Sequence, residues 1–405
     1  MFKRLLPERL GSDFRWLFGA STAANLGDGV LLAAGPLMVA SLTRDPFAVS
    51  MAVFAQRVPW LIFSLFAGTV VDRVDRRVLV IFADAVRATV LLALVVFIAT
   101  DAVTLPVLYV AFFLLGTAET FVDNAASTLT VALVPRAHLG AANARIFGSA
   151  MITNQMAGPP LGAFLFTIGA WCAFGVHAVL LLLGVVLIWR IALRPDAPTE
   201  QWASLSDRTR EGAQWLWRHP PVRTLALMIT LFNITFGAVL GLYVLYAQDR
   251  LGVSDFGYGV LISMIAVGGV LGSALYSRLQ ARFSYAVLLR TGLVLETATH
   301  AILALTSSPV VAAFVFFGFG VHAAVWGTTS TTVRQLAVPD GMLGRVTSVY
   351  LLGSHGGLAI GTLLGGVIAG AFGLLAAFWF AFAGSLIALA FLWRPMAQVA
   401  RAVEG

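Results

Sequence analysis

The sequence predicts an all-α polytopic membrane protein, twelve transmembrane helices arranged as two pseudo-symmetric six-helix bundles. Three observations carry this prediction. The first is composition: 59% of the 405 residues are hydrophobic and only 11% are charged, against roughly 25% charged in an average soluble domain. Such a chain cannot cover a water-facing surface. The second is that apolar runs of about twenty residues recur along the whole length, each long enough as a helix to cross a hydrocarbon core of about 30 Å. These runs are apolar on every face, whereas the strands of a membrane β-barrel alternate apolar and polar residues. The third is internal repetition, set out below after the spans.

Apolar runs bounded by charge, Pro and Gly place the spans near 16–41, 47–70, 78–100, 105–127, 146–167, 171–191, 223–247, 257–279, 285–306, 310–332, 347–370 and 373–394. The opening "MFKRLLPERLGSDFRW" has no small-residue cleavage site behind a short apolar core, so the first run is expected to be a retained span and not a removable leader. With both termini in the cytoplasm, all of the 26 Lys and Arg except Arg44, Arg57, Arg87 and Arg250 fall in the termini and the even-to-odd loops. The positive-inside rule therefore sets the orientation. Between spans six and seven lies the longest polar segment, with Pro, charge, Trp215 and Trp217. It predicts an N-terminal bundle over 1–192, a cytoplasmic linker with an interfacial helix over 193–222, and a C-terminal bundle over 223–405.

The two halves align at one ungapped offset of 204 residues (272 minus 68). It pairs Gly68 with Gly272, Pro135 with Pro339, Leu139 and Gly140 with Leu343 and Gly344, and Gly162 with Gly366. A duplicated six-helix unit of this kind occurs in one large class of secondary transporters, with substrate bound near the midplane.

Several chemistries are excluded. The net charge of +7 comes from basic residues scattered singly between apolar runs, with no basic stripe of the kind duplex binding needs, so no nucleic acid is expected. The single cysteine, Cys172, permits no disulfide within the chain and no multi-cysteine metal site, and no metal is expected. No H-E-x-x-H or G-x-S-x-G occurs. Lys3 is the only lysine, so a phosphate-binding loop ending in Gly-Lys cannot form and ATP hydrolysis is excluded. The chain is not expected to be an enzyme.

The densest charge lies in "GTVVDRVDRR", 68–77, between spans two and three. Its Gly68, Asp72, Arg73, Arg76 and Arg77 match the G-x-x-x-D-R-x-G-R-R signature, in which this sequence resembles the major facilitator superfamily; Asp75 stands where that family usually has Gly. The second half keeps Gly272, Arg278 and Arg282 at the matching place but lacks the acid. "GPPLG" in span five, with Gly158, Pro159 and Gly162, is similar to the core of the motif associated with the antiporter branch, where small residues let two helices approach closely. Span eleven carries Gly357, Gly361 and Gly365. "NLGDG", "AQRVPW", "DAVRA" and "ETFVDNA" in spans one to four resemble the drug-efflux subfamily of macrolide, mycobacterial multidrug (Tap-like) and enterobactin exporters. The resemblance implies the major facilitator fold, a bacterial cytoplasmic membrane location, export of amphiphilic small molecules against protons by alternating access, a monomer, and no cofactor beyond the proton gradient. Siderophore or lysophospholipid export are the alternatives, and a non-transporting scaffold is a distant third because the central loop holds no separate domain.

The charged loop reads as a latch: Asp72 pairs with arginines and a helix N-terminus when the cytoplasmic side is closed, with Asp123 the expected partner of Arg73 or Arg76. A plain positive-inside anchor would explain the arginines but not Asp72.

Charges within spans are costly and are usually paired or functional. Asp28 and Arg57 lie at matching depths, about 20 and 22 Å from the cytoplasmic span ends, and are expected to pair. Asp84, Arg87 and Glu119 lie at about 10, 15 and 14 Å, and Arg87 is expected to pair with Glu119. Glu119 and Asp123 are four residues apart on one helix face, which makes them, with Asp28, candidates to bind and release a proton. Glu296 with His300 four residues on is a further candidate. His177, His322 and His355 are expected to be hydrogen-bonded packing residues, with His322 the best exception. Asn25, Phe121, Phe232, Asn233, Phe236, His322 and Trp326 are the candidates for a substrate cavity, with Tyr243 and Tyr246 nearby in sequence. Any one of these aromatics is otherwise a packing residue.

Overall fold

The computed structural model describes residues 10–71, 73–192 and 205–404. All regular structure among them is helical. The helices are α1 (Ser12–Leu42), α2 (Pro46–Val71), α3 (Arg76–Ala99), α4 (Leu105–Leu133), α5 (Leu139–Ala150), α6 (Gly158–Ile168), α7 (Ala170–Trp189), α8 (Leu205–Arg218), α9 (Pro220–Leu240), α10 (Asp255–Gln280), α11 (Tyr285–Leu305), α12 (Pro309–Ala337), α13 (Asp340–Phe372) and α14 (Leu374–Glu404). Eleven of them are long and apolar enough to cross a membrane. The remaining expected span, 146–167, is the continuous run of α5, a π-helical segment Met151–Ala157 and α6, whose parts are each too short to qualify alone. The chain is a multi-pass membrane protein.

Helix starts follow local chemistry. Asp75 caps α3, its Oδ1 accepting from the backbone N–H of Arg77 at 2.8 Å and of Val78 at 3.3 Å. The residue that departs from the family's usual Gly thus satisfies two of the helix's free N–H groups. Asp75 has φ −56°, so the turn does not need a glycine there. Ser284 and Ser308 cap α11 and α12, and Pro sits at the start of α4, α9 and α12, where a missing N–H costs nothing.

The chain divides into two compact units: one comprises Met1–Leu42, Ala55–Gln201 and Asp255–Ser263, the other Thr43–Phe54, Trp202–Ser254 and Met264–Gly405. The first segment of α2 is therefore counted with the second unit and the first segment of α10 with the first. Of the linker, residues 193–204 lie outside those described. α8 packs on the start of α13 inside the second unit, with Leu216 buried, Arg345 donating to Glu211 at 2.6 Å, and Trp217 exposed.

Glycines bring several helix pairs backbone to backbone within each unit, among them α4 on α2 at Gly116 and α10 on α12 at Gly268 and Gly320, and one such pair occupies corresponding places in the two units. A Cβ on Gly158 would meet the Gly29 Cα at 2.5 Å, and one on Gly162 would meet the Val30 carbonyl at 2.2 Å, so α6 lies directly on α1. In the second unit α13 lies on α9 in the same way, Gly357 against Thr230 and Asn233 and Gly361 against Ile234, the last again at 2.2 Å. Val30 and Ile234 stand 204 residues apart, but their glycine partners stand 199 apart (361 minus 162). The expected pairing of Gly162 with Gly366 is therefore corrected. Gly366 is held instead by Ser50, whose Oγ would lie 1.8 Å from an added Cβ. The two halves thus differ by five residues in register here, and they also differ locally in that the first unit has a π-helical segment where the second has the uninterrupted α-helix α13.

Candidate functional site

Asp28 sits in "NLGDG" on α1, between the two glycines that let neighbours approach. A Cβ at Gly27 would lie 2.2 Å from the His177 ring, and Gly29 faces the Asn154 and Gly158 backbone. The lack of side chains on both flanks allows α6 and His177 of α7 to come in around the carboxylate. Arg87 of α3 donates through Nη2 to Asp28 Oδ1 and through Nη1 to Asp84 Oδ1 at 2.9 Å. His177 Nε2 lies 3.2 Å from the same Asp28 oxygen without the alignment of a hydrogen bond. The side chains of Arg87, Asp84 and His177 are 2%, 4% and 1% exposed, and that of Asp28 is 15% exposed. One guanidinium thus holds two carboxylates in a nearly dry setting, where ion pairs are strong and the loss of one partner is costly.

This arrangement corrects two expected pairs. Asp28 pairs with Arg87 and not with Arg57, and Arg87 pairs with Asp28 and Asp84 and not with Glu119. Depth along a helix gives height but not direction around the axis. The depth difference of about 5 Å between Asp28 and Arg87 is within the reach of an arginine side chain, and Asp84 and Arg87 are three apart on one face.

Glu119 and Asp123 lie one turn apart on α4. Glu119 is half-buried, Asp123 is exposed, and among the described residues neither makes an ion pair. Glu119 is nevertheless within electrostatic reach of Asp28, Arg87, Asp123 and Arg57. Arg57 has a buried Nε without a hydrogen-bond partner and no ion pair among the described residues. The first unit therefore gathers four carboxylates, Asp28, Asp84, Glu119 and Asp123, around two guanidinium groups, and only one of those groups is engaged in ion pairs.

Of the expected latch, Asp72 lies outside the described residues. Gly68 is in the last turns of α2. Arg73 is exposed and Arg76 half-buried, and the expected ion pair of either with Asp123 is corrected, since neither lies within ion-pair distance of it. Arg77 donates through Nη2 to the Trp189 carbonyl at the end of α7, a C-terminal site that favours a cation.

The second unit carries a separate polar cluster. Glu296 on α11 is 3% exposed and meets His300 Nε2 at 3.1 Å through Oε1 and His322 Nε2 of α12 at 3.1 Å through Oε2. The contact with His300 follows from the spacing of four. The contact with His322 does not show in the sequence, because it joins two helices.

The remaining candidates are placed as follows. Asn25 Nδ2 donates to the Ser21 carbonyl of its own helix at 2.8 Å, and Asn233 Nδ2 to the Ile229 carbonyl at 2.8 Å and Ser354 Oγ at 3.2 Å. Phe232 and Trp326 are buried edge to face at 5.5 Å in the second unit's core, Phe236 stacks on Phe319 at 4.9 Å, and Phe121 lies 6.5 Å from Phe63. His177 was missed as a neighbour of Asp28. The signal that points to it is Gly27, the residue whose absent side chain makes room for the ring.

The family model described as transmembrane secretion effector, a branch of the major facilitator superfamily, matches residues 8–403. The multidrug efflux pump Tap of Mycolicibacterium fortuitum is 28% identical over 385 residues, covering 89% of this chain and 90% of that one. Macrolide efflux protein A of Streptococcus pyogenes is 25% identical over 376 residues, covering 89% and 90%. Among solved structures, a bacterial homologue of the iron transporter ferroportin in an inward-facing state superposes with a TM-score of 0.79 at 15% identity over 95% of this chain and 98% of that one. The nucleoside transporter NupG superposes with a TM-score of 0.75 at 13% identity, over 95% and 99%. These last two likenesses concern the fold.

Proposed function

Because the chain belongs to the transmembrane secretion effector family of the major facilitator superfamily, we propose that it exports amphiphilic small molecules, drugs and antibiotics among them, from the bacterial cytoplasm in exchange for protons. Its similarity to a multidrug efflux pump and a macrolide efflux protein supports the substrate class. Both termini are cytoplasmic in this reading, on the strength of the basic loops, and the working unit is the monomer, driven by the proton gradient without a cofactor.

The observation that carries the reading is Arg87 held between Asp28 and Asp84, with Glu119 half-buried in their field. When a carboxylate beside a buried guanidinium takes up a proton, the guanidinium loses a charged partner and is free to turn to another. Glu119 and Asp123 are the carboxylates it could turn to. A proton then couples to transport if its affinity differs between the inward- and outward-open states, which is the thermodynamic requirement for exchange. Asp28 is the first choice for the coupling group because Gly29 beside it meets the Gly158 backbone of α6 and Gly27 on its other side meets the His177 ring of α7, so a change in its partners acts where three helices are closely packed.

The test is the Asp28→Asn variant, assayed for substrate-induced proton movement with a pH-sensitive dye inside proteoliposomes. Wild-type protein is expected to move protons when a macrolide or tetracycline is added. The variant is expected to insert, to remain monodisperse and to move none. Undiminished proton movement in Asp28→Asn removes Asp28 from the mechanism.

A further inference from the structure

Among the described residues two arginines are buried, Arg87 at 2% exposed and Arg334 at 6%. A guanidinium keeps its charge in proteins, so each calls for an anion or several acceptors where water is excluded. Arg87 has two carboxylates. Arg334, on α12 in the second unit, has none within ion-pair distance among the described residues. Its Nε and Nη1 are buried without a hydrogen-bond partner, while Nη2, which has no partner either, keeps surface open to solvent. The more exposed Arg290 and Arg345 are spent, the first on the Trp393 carbonyl at 3.0 and 2.7 Å and the second on the Glu211 carboxylate at 2.6 Å.

An aromatic ring orients the unpaired guanidinium. Arg334 Cζ lies 4.0 Å from the centroid of the Tyr350 ring of α13, and the Tyr350 hydroxyl lies 2.9 Å from Ser330 Oγ, one turn before Arg334. The ring face attracts the cation without offering it an acceptor in the plane of its N–H groups.

Arg334 stands three residues, about 5 Å, from the end of α12, and Tyr350 ten residues, about 15 Å, from the start of α13. Side chains lean toward the N-terminus of their own helix, which brings these two together about 10 Å inside the cytoplasmic ends. Gly327, Thr331 and Arg334 follow one another at helical spacing on α12. A Cβ on Gly327 would meet nothing within 4 Å, and Thr331 is half-buried. Beside this stripe Thr328 and Gln335 are exposed. An open face of a span that carries threonine and glutamine suits a water-filled approach and not hydrocarbon.

We propose that Arg334 receives the charged end of an organic monoanion, a carboxylate or sulfonate on an aromatic or aliphatic body, which enters from the cytoplasm. One oxygen accepts from Nη2, and the body lies along Thr331 and Gly327. A single cation with no second beside it matches a single negative charge, whereas phosphate esters and polyanions call for several donors of charge. A phospholipid phosphate resides at the interface, about 10 Å further out. The proposal rests on the export reading only in taking the occupant as cargo; occupancy itself requires no gradient and no residue of the first unit.

The test uses 2-naphthoate and its uncharged isostere 2-naphthamide, titrated by equilibrium dialysis onto the full-length protein in phosphatidylcholine nanodiscs at neutral pH, with empty nanodiscs as the blank. Wild type is expected to bind naphthoate saturably at one site and at least about tenfold more tightly than naphthamide, as a hydrogen bond involving a charged group warrants. Arg334→Met removes the cation and is expected to abolish that preference. Because it also removes an unpaired buried charge, it is expected to melt no lower than wild type, whereas an arginine held for structure alone would cost stability on removal. Gly327→Phe fills the open face two turns away and is expected to lose at least about tenfold in affinity for naphthoate, while Asp28→Asn binds as wild type does. Equal affinity for the two probes, absence of saturable binding, an unchanged preference in Arg334→Met, or unchanged binding in Gly327→Phe overturns the proposal. Displacement of naphthoate by inorganic phosphate or chloride at equal affinity also overturns it, since the site would then be one for simple ions. The Gly327 variant decides the matter should Arg334→Met not fold. Failure of Asp28→Asn to block proton movement leaves this site standing, and loss of naphthoate binding leaves the coupling reading standing.

Discussion

Replacing Arg87 with Met removes the cation from between Asp28 and Asp84 while keeping most of the side-chain volume. The guanidinium is 2% exposed and the Asp84 carboxylate 4%, so water cannot take its place. Breaking a buried ion pair by removing one partner costs about 3–5 kcal/mol. With an unfolding entropy of about 2.1 cal/mol/K per residue, a chain of 405 residues changes by roughly 0.85 kcal/mol per degree. The expected fall in Tm is then about 4–6 °C. It is larger if the unfolded state in detergent keeps its helices, because less entropy is then released. The assay is thermal unfolding followed by a thiol-reactive fluorophore at Cys172, the single thiol. Leu92→Ala, at a side chain 45% exposed to the surroundings, serves as the lipid-facing control. The triple variant Asp28→Asn, Asp84→Asn, Arg87→Met carries no unpaired charge there and is expected to recover most of the lost Tm. Melting of Arg87→Met within a degree of the Leu92→Ala control, or of the triple variant no higher than the single one, would show that the buried guanidinium does not hold the two carboxylates in place.

Two further outcomes follow from the packing. Gly162→Ala and Gly361→Ala each place a methyl group 2.2 Å from a carbonyl oxygen of the facing helix, so α1 or α9 must retreat by about 1.2 Å, at a cost of roughly 1–3 kcal/mol. Gly140→Ala meets nothing within 4 Å and is expected to leave Tm unchanged, so equal melting of all three would contradict the contact. Asp75→Ala removes the cap of α3 and is expected to cost about 1 kcal/mol, whereas Asp75→Gly, the residue usual in the superfamily, costs a few tenths. The reverse order in a thermal melt would show that Asp75 does not cap.

Helix content, span positions and the small-residue contacts were legible in the sequence because hydrocarbon thickness, helical rise and glycine spacing are one-dimensional quantities. The glycines of "GPPLG" implied a close approach of two helices, and the structure identifies the neighbour as α1. Partner choice was less legible. Depth arithmetic put Asp28 level with Arg57, and only the three-dimensional placement of α3 shows that Arg87 reaches it first. The link from Glu296 to His322 joins helices whose rotation about their axes no single sequence reveals, while the Glu296–His300 link lies within one turn and was visible. The ungapped repeat misled at Gly366, because the glycine contacts of the two halves differ by five residues in register and an offset that holds at other positions gives no sign of such a local slip. Asp75 shows the opposite case: a departure from a family pattern that ordinary capping chemistry explains.

In the proposed exchange a proton gradient drives export through the carboxylates of the first unit. Its most direct test is uptake of labelled macrolide or tetracycline into proteoliposomes, with and without an imposed pH difference. Accumulation above equilibrium that follows the sign of the gradient and disappears with a protonophore is the expected result. Equal accumulation with no pH difference would contradict the account.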